Sequence, residues 1–211
     1  MEKANYKSQA LLNLPTRPLL IVLSGPSGSG KDAVLNRMKK LDYPFEYITT
    51  ITTRSRRPKE RNNVDYHFVS TEKFQEMIEH EQLLEWAEVY GNWYGVPKQP
   101  VKQALDKGRD TIIKVDIQGA ATIKKILPEA IFIFLIPPSI EELAERLKRR
   151  HTESSFGLAL RMKTAEEELK QLPLFDYKVL SRWNEIDRAI SHIEAIITAE
   201  KCRVNPRKIA L

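Results

Sequence analysis

Short unbroken runs of apolar residues alternate along this chain with stretches in which apolar residues recur every three or four positions. The runs cover residues 19–23, 111–116 and 130–136. Runs of this length predict strands that are buried on both faces of a parallel sheet. Apolar residues at helical spacing follow the first run, over 34–41. This alternation predicts an α/β fold with right-handed crossovers and a mainly parallel sheet.

Helical spacing recurs later in the chain and predicts further helices. They cover residues 71–80, 121–127, 139–150, 158–172 and 186–197. Two of their boundaries have a local cause. Pro128 stops the helix that precedes it. Ser139 and Glu142 form a capping box, which opens the helix over 139–150.

Residues 45–96 break the alternation because they are rich in Thr, Tyr and Trp. Strand-like pieces occur within them at 47–52, 65–69 and 84–90. We interpret this segment as an inserted lobe with a small mixed sheet.

Three further boundaries complete the predicted organisation. A polar, arginine-dense stretch predicts a mobile lid over about 148–160. Residues 1–17 show no sustained period and are expected to form a flexible extension. The rest of the chain, 18–205, then forms one domain whose core consists of 18–44 and 97–205.

The composition narrows the classes of protein to which this chain can belong. Its 211 residues fit one domain, and its single cysteine, Cys202, excludes a disulfide framework and a cysteine-based zinc site. The longest apolar run, 130–136, is far shorter than the roughly 20 residues that span a bilayer. We therefore expect a cytoplasmic protein without a membrane partner.

The net charge of +6 indicates an anionic partner, either a phosphorylated small molecule or a nucleic acid, unless the charges only solvate the surface. Arg54, Arg56 and Arg57 cluster beside hydroxyl residues. A second cluster consists of Arg146, Arg149, Arg150 and Arg161. The planar guanidinium matches phosphate geometry, so each cluster is either a phosphate site or an exposed basic segment.

A glycine-rich segment joins the first predicted strand to the first predicted helix. It reads Gly25-Pro26-Ser27-Gly28-Ser29-Gly30-Lys31-Asp32. Small residues let backbone N–H groups surround phosphate oxygens, the helix N-terminus adds positive potential, and Lys31 can reach the outer phosphates. The segment predicts a phosphate-binding loop (P-loop), although Asp32 stands where the strict pattern has Ser or Thr.

Carboxylates and phenols supply the remaining candidate chemistry. Asp116 ends a predicted buried strand, where it either points into the crevice at the sheet edge or caps the next helix. Tyr66, Glu85 and Tyr94 lie in the inserted lobe, where aromatic residues at strand spacing are also typical of a core. The four histidines have no metal-ligand spacing and receive no role.

Together these segments resemble the guanylate kinase family, whose members transfer a phosphoryl group from ATP to GMP. The resemblance runs from about residue 19 to about residue 199. Beyond the P-loop it is carried by Thr52-Thr53-Arg54, Arg57, Asp65-Tyr66-x-Phe68, Glu85-Trp86-Ala87, Gly91-Asn92-x-Tyr94-Gly95, Asp116-x-Gln118-Gly119 and Pro137-Pro138-Ser139. It implies a three-layer P-loop core, with the lobe binding GMP and the lid closing over ATP.

The resemblance also implies a role for individual residues. The ATP site would be formed by Gly25, Pro26, Ser27, Gly28, Ser29, Gly30, Lys31 and Asp32. The GMP site would be formed by Thr50, Arg54, Arg57, Tyr66, Glu85, Tyr94 and Asp116, with Thr50 and Glu85 reading the guanine. The residues expected to act on the transferring group are Lys31, Arg54, Arg146, Arg150 and Arg161. The implied cofactor is Mg²⁺ with ATP, its expected ligand is Asp32, and no nucleic acid is expected to bind, while self-association stays open.

The sequence departs from the family pattern at four places, which are Asp32, Lys114, Val96 and the region of Ser181. Lys114 stands where the family usually has an acid, so Asp32 and Lys114 move the local charge in opposite directions. We hypothesise that these two substitutions are a coupled adaptation. Two alternative functions remain, a sugar-phosphate kinase such as ribose 1,5-bisphosphokinase and a non-catalytic interaction domain of the guanylate-kinase-like type.

Overall fold

The computed structural model describes residues 17–58, 60–148 and 155–211. For residues 155–159 and 161 it describes the helical backbone alone. The expected N-terminal extension therefore lies outside the described residues except for Arg17. Arg150 and the 149–154 part of the expected lid also lie outside them.

The elements alternate as the hydrophobic pattern predicts. The strands are β1 (Leu20–Ser24), β2 (Glu46–Tyr47), β3 (Ile51–Thr52), β4 (His67–Phe68), β5 (Leu83–Val89), β6 (Asn92–Pro97), β7 (Thr111–Lys114), β8 (Ile131–Ile136) and β9 (Tyr177–Leu180). The helices are α1 (Lys31–Lys40), α2 (Thr71–Glu79), α3 (Lys98–Asp106), α4 (Ile117–Ile126), α5 (Ile140–Lys148), α6 (Ser155–Leu169) and α7 (Ile186–Lys201). A 3₁₀ turn, Leu172–Leu174, follows α6.

The central sheet is parallel throughout and has the strand order β2-β7-β1-β8-β9. Leu23 of β1 lies opposite Lys114 of β7, and Ser24 lies opposite Phe134 of β8. Because parallel strands point the same way, their carboxyl ends meet at one edge of the sheet. The P-loop begins at this edge, directly after β1.

Helices cover both faces of this sheet. Leu19, Ile21 and Leu23 pack with α1 and α7 in one hydrophobic core. Leu20 and Val22 face the opposite way and pack with α3 and α4 in a second core. Successive strand residues point to opposite faces, so a run that is buried at every position requires cover on both sides. The predicted α/β fold with a three-layer core is confirmed.

The inserted lobe contains a second sheet with the strand order β4-β3-β6-β5. β3 pairs in parallel with β4 and antiparallel with β6, and β5 and β6 form an antiparallel hairpin, so this sheet is mixed as predicted. Tyr90 and Gly91 turn the hairpin with φ values of 51° and 73°. Two successive positive φ values give a turn whose twist matches that of the flanking strands.

The single strand predicted over 47–52 is two strands in different sheets. β2 pairs with β7 of the central sheet, whereas β3 pairs with β4 and β6 of the lobe. Residues 46 and 47 therefore belong structurally to the central sheet. A continuous β-like pattern carries no information about which neighbour each half will pair with, so the sequence could not place this division.

The P-loop approaches the neighbouring strand β8 very closely. Gly25 has a φ of 141°, and a Cβ at this position would lie 2.2 Å from the carbonyl oxygen of Leu135. No side chain fits there without separating the loop from β8. Glycine is required at this position for space as well as for backbone conformation.

Gly25→Ala should therefore destabilise the fold much more than Gly108→Ala. Gly108 follows α3 with a φ of 72°, and a Cβ there would meet nothing within 4 Å. Gly108→Ala should lower the free energy of unfolding by only about 1–2 kcal/mol, the strain of a left-handed backbone. Gly25→Ala should lower it by about 3 kcal/mol or more, because its Cβ clashes with backbone atoms that cannot move aside. Urea unfolding measures both losses, and equal losses would contradict the packing argument.

Candidate active site

A cavity of about 170 Å³ opens at the carboxyl edge of the central sheet, where the P-loop, the lobe and the β7–α4 segment meet. From the predicted ATP site it is lined by Gly25, Ser27, Gly28, Gly30, Lys31 and Asp32. From the predicted GMP site it is lined by Thr50, Arg54, Arg57, Tyr66, Glu85, Tyr94 and Asp116. The two predicted nucleotide sites are thus parts of one cavity.

The P-loop has the backbone shape that its glycines predict. Gly25, Gly28 and Gly30 all have positive φ values. The loop is closed by hydrogen bonds from Ser29 N to Pro26 O at 3.0 Å and from Val34 N to Gly30 O at 3.0 Å, the second of which belongs to the first turn of α1. A loop of this shape followed by a helix N-terminus is an anion-binding arrangement.

Lys31 folds back over the P-loop. Its Nζ donates to the carbonyl oxygens of Gly25 at 2.5 Å and Pro26 at 3.1 Å. Burial lowers the pKa of Lys31 to about 8, although nearby carboxylates such as Glu168 oppose this shift. A buried ammonium whose hydrogen bonds go to neutral carbonyl oxygens is strongly stabilised when an anion binds beside it.

Arg54 and Arg57 point to one acid, Glu60. Arg54 donates to both carboxylate oxygens of Glu60, at 2.9 and 3.1 Å, and Arg57 donates its backbone N–H to the same carboxylate at 2.9 Å. Burial alone would raise the pKa of Glu60, but these hydrogen bonds lower it below the usual range. Glu60 was not predicted as a site residue, and it holds both arginines at the cavity wall.

The phenols of Tyr66 and Tyr94 stand beside this arginine pair. Their ring centroids are 6.1 Å apart, and the guanidinium of Arg54 lies 5.5 Å from the Tyr66 ring. Burial raises the pKa of Tyr66, so its hydroxyl stays protonated and able to donate. Two guanidinium groups and two phenols lining one wall form a donor set suited to a phosphate group.

Deeper in the cavity, Thr50 and Glu85 are 4% and 6% exposed. Thr50 Oγ1 and Glu85 Oε2 are buried without a hydrogen-bond partner. Burial raises the pKa of Glu85 to about 8, and the charge of Asp116 adds to the shift. Buried polar atoms are normally satisfied, so these two mark a place where a ligand supplies the missing hydrogen bonds.

Glycine at 119 makes room for this carboxylate. A Cβ at Gly119 would lie 2.6 Å from Glu85 Oε2. Asp116 caps the same helix, α4, because its side chain accepts a hydrogen bond from the Gly119 N–H at 2.8 Å. Asp116 also lines the cavity, so both interpretations offered for it from the sequence describe its position.

Glu168 is an acid of the cavity that sequence reasoning missed. It belongs to α6, lines the cavity beside the P-loop and accepts a hydrogen bond from the Ser27 backbone N–H. Its Oε2 is buried without a partner, and burial raises its pKa. A glutamate on an amphipathic helix carries no signal in the sequence that separates it from a solvated one.

Arg146 lies behind the P-loop and is only 6% exposed. Its guanidinium donates to the carbonyl oxygens of Ser29 at 3.1 Å and Ser181 at 2.5 Å, and it also pairs with Glu142. This position differs from the expected one among the phosphates, since Arg146 contacts loop backbone and does not line the cavity. Of its predicted partners, Arg150 lies outside the described residues, as does the side chain of Arg161.

Asp32 and Lys114 form an ion pair at the cavity wall. Lys114 Nζ lies 2.6 Å from Asp32 Oδ1, and their side chains are 12% and 53% exposed, respectively. The two departures from the expected residue pattern are thus in direct contact. The contact gives the hypothesis of a coupled adaptation a physical basis.

The guanylate kinase family model matches residues 17–200 of this chain. The chain belongs to the guanylate kinase family. Guanylate kinase 2, chloroplastic/mitochondrial, of Oryza sativa is 45% identical over 196 residues, which cover 92% of this chain and 69% of the rice protein. The guanylate kinase of Carboxydothermus hydrogenoformans is 40% identical over 191 residues, which cover 90% of this chain and 92% of that protein.

A solved structure agrees with this assignment. The crystal structure of guanylate kinase from Anaplasma phagocytophilum superimposes with a TM-score of 0.73 at 31% identity, covering 90% of this chain and 89% of that one. The expectation of a guanylate kinase enzyme is confirmed, and neither alternative function is favoured. Among the described residues, no helix combines the length and apolar character needed to cross a membrane.

Glu85→Gln should lower kcat/KM for GMP by about 100-fold or more, and it should reduce the ratio of kcat/KM for GMP to kcat/KM for AMP. Guanine presents N1–H and 2-amino donors to a carboxylate, whereas adenine lacks the N1 donor, and a buried acid left unpaired discriminates strongly. Glu88→Gln is the matched control because Glu88 is an exposed acid on the same strand. Unchanged GMP selectivity in Glu85→Gln would contradict the assignment.

The same variant gives a second readout, the proton balance of GMP binding. At pH 7 the unliganded Glu85 holds its proton because its pKa is about 8, whereas a carboxylate facing two N–H donors is ionised. Binding should release close to one proton at pH 7 and none above about pH 9. Calorimetry in two buffers of different ionisation enthalpy counts the proton. Equal release by the wild type and Glu85→Gln would contradict the expectation.

Proposed function

We propose that this protein transfers the terminal phosphoryl group of ATP to the phosphate of GMP, and that the residues of the cavity divide this work between two subsites. One observation carries the proposal. The P-loop, an arginine–tyrosine wall and a buried unpaired carboxylate face the same cavity. This combination suits two nucleotides whose phosphates meet.

The donor subsite is the P-loop, from Gly25 to Asp32. Its backbone N–H groups and the N-terminus of α1 favour the phosphates of ATP. Lys31 then exchanges the carbonyl oxygens of Gly25 and Pro26 for phosphate oxygens. Arg146 supports this subsite from behind by holding the loop carbonyls. Arg150 and Arg161 are proposed to close over the phosphates from the lid side.

The acceptor subsite lies in the lobe. Arg54, Arg57, Tyr66 and Tyr94 bind the phosphate of GMP, and Glu60 keeps the two arginines in place until it arrives. Thr50, Glu85 and the nearby Asp116 read the guanine. The buried unpaired atoms of Thr50 and Glu85 support this assignment, because GMP supplies the donors and acceptors that they lack.

The chemical step needs charge neutralisation and alignment more than acid–base catalysis. A phosphate monoester has its second pKa near 6, so the acceptor phosphate is mostly ionised at neutral pH. An oxygen of that phosphate attacks the terminal phosphorus of ATP, and the bond from that phosphorus to the bridging oxygen breaks. ADP leaves with the electron pair. Lys31 and Arg54, with Arg150 and Arg161, offset the charge on the two polyanions.

Mg²⁺ with ATP is the proposed cofactor, and the residues present fit it. Among the described residues no group of three His, Cys, Asp or Glu side chains could hold a metal ion. Mg²⁺ bound with a nucleotide needs only one or two carboxylates besides phosphates and water. Asp32 offers such a carboxylate at the start of α1. When bound, Mg²⁺ neutralises phosphate charge.

The proposed partners are the two nucleotides, and a cytoplasmic location is proposed on the sequence alone.

An ADP-release assay with ATP, Mg²⁺ and a panel of acceptors tests the function. GMP should be phosphorylated at least about 100-fold more efficiently than AMP or UMP, with dGMP and ribose 1,5-bisphosphate as further acceptors. ADP release with ribose 1,5-bisphosphate alone would favour the sugar-phosphate kinase. No transfer to any acceptor would favour the interaction domain.

A further inference from the structure

Lys114 is a buried cation of the cavity that the proposed mechanism does not use. It is the last residue of β7 and lies opposite Leu23, just before the P-loop. Its side chain is 12% exposed and lines the cavity. A lysine this well buried next to Lys31 requires an explanation, because each positive charge raises the free-energy cost of burying the other.

Two neighbours fix the position of the Lys114 ammonium. Asp32 Oδ1 lies 2.6 Å from Nζ, and the centroid of the Tyr66 ring lies 3.9 Å from it. Burial alone would lower the pKa of Lys114, but Asp32 and Tyr66 raise it above its ordinary value.

These two neighbours belong to different subsites. Asp32 ends the P-loop and lies on the ATP side, whereas Tyr66 belongs to the wall that faces the GMP phosphate. Lys114 therefore lies where the two subsites meet. An ammonium has three N–H donors, and Asp32 accepts one of them. The junction is also where the negative charges of the two phosphate groups come closest together.

We propose that Lys114 binds phosphate oxygens at the junction of the two subsites, and that Asp32 and Tyr66 act as positioning residues that hold its ammonium there. The proposal rests on the function proposed above and adds one cation to its phosphate-binding set. In the absence of nucleotides the pair is neutral. When both nucleotides bind, the ammonium faces the group being transferred, and Asp32 continues to hold it.

A merely structural ion pair makes a different prediction. If the pair only ties α1 to β7, removing either charge should damage the protein equally. If Lys114 contacts phosphate, removing its charge should weaken GMP binding far more than removing the charge of Asp32. In GMP binding without ATP or metal, where the proposed Mg²⁺ contact of Asp32 plays no part, the double variant should then bind GMP no more weakly than the lysine variant, because Asp32 acts there only through Lys114.

The variants Lys114→Met, Asp32→Asn and the double variant test this asymmetry. Lys114→Met should lower kcat about 100-fold, as the loss of one transition-state donor does. Asp32→Asn is compared with it in GMP binding without metal, because Asp32 is also the proposed Mg²⁺ ligand, and there it should weaken binding about 3-fold or less. Calorimetry with GMP alone, without ATP or metal, should give an about 10-fold weaker dissociation constant for Lys114→Met. Equal losses of GMP affinity from the two single variants, or a double variant that binds GMP more tightly than Lys114→Met, would overturn the proposal.

Arg37 and Asp187 provide the matched control. They form an ion pair of 2.8 Å that also uses α1 but lies away from the cavity. Arg37→Met and Asp187→Asn should leave kcat and GMP binding unchanged. A loss of kcat in Arg37→Met as large as that in Lys114→Met would overturn the proposal, because it would trace the effect to the anchoring of α1.

Lys114→Arg keeps the test independent of a folding defect. It retains the cation, so GMP binding should stay within about 3-fold of the wild type, and urea unfolding confirms that each variant is folded. An equal loss of GMP binding in Lys114→Arg and Lys114→Met would assign Lys114 to packing and overturn the proposal. A wild type that does not phosphorylate GMP would contradict the proposed function itself, whereas an active wild type with an equally active Lys114→Met would contradict only this inference.

Discussion

The parallel pairing of β1 with β7 and β8 is the constraint on which the site depends. It brings the end of β1, the end of β7 and the carbonyl of Leu135 to one edge of the sheet. The P-loop can turn at that edge only because Gly25 has no side chain. Lys114 and Asp116 reach the same cavity because Lys114 ends the neighbouring strand and Asp116 follows it two residues later. A ligand-binding crevice at the carboxyl edge is the general consequence of such a sheet.

The cavity contains buried polar groups whose desolvation is only partly compensated, and bound nucleotides would supply the missing partners. Lys31 is held by carbonyl oxygens, Glu60 holds the phosphate-facing arginines, and Glu85 keeps an unpaired oxygen in a buried position. The Lys31 and Glu85 arrangements are costly in an empty site, because buried polar groups lose hydration without full compensation, whereas Glu60 compensates the arginines. Such groups are retained where binding supplies the missing partner. Within the acceptor subsite, Arg54 and Arg57 lie on the side proposed for the phosphate, whereas the carboxyl groups of Glu85 and Asp116 lie on the side proposed for the base.

The sequence predicted those parts of the molecule that a local pattern specifies. The P-loop follows from small residues between a strand and a helix, and the three-layer core follows from strands that are apolar at every position. The lobe was recognised from its change of composition. The residues at the cavity were mostly found through motif resemblance, since the local pattern left Arg54 open between a phosphate site and an exposed segment and favoured a core position for the residues around Glu85.

What the sequence missed depends on tertiary pairing. β6 and β9 were not predicted, and the strand over 47–52 was not divided between two sheets, because pairing partners decide these features. α3 was not predicted either, although Val101, Ala104 and Leu105 recur at helical spacing. Glu60 and Glu168 became site residues only when the fold placed them beside Arg54 and the P-loop. Arg146 belongs to the expected cluster, yet its contacts with Ser29 and Ser181 could not be read from an arginine-rich helix.

The central claim is that two nucleotide subsites share one cavity and meet at their phosphates. A single molecule that joins adenosine to guanosine through a chain of phosphates tests it directly. Such a compound should inhibit competitively against both ATP and GMP and bind about 100-fold more tightly than either nucleotide, because the second contact becomes intramolecular. Competition with only one of the two substrates, or an affinity no better than that of a single nucleotide, would contradict the claim.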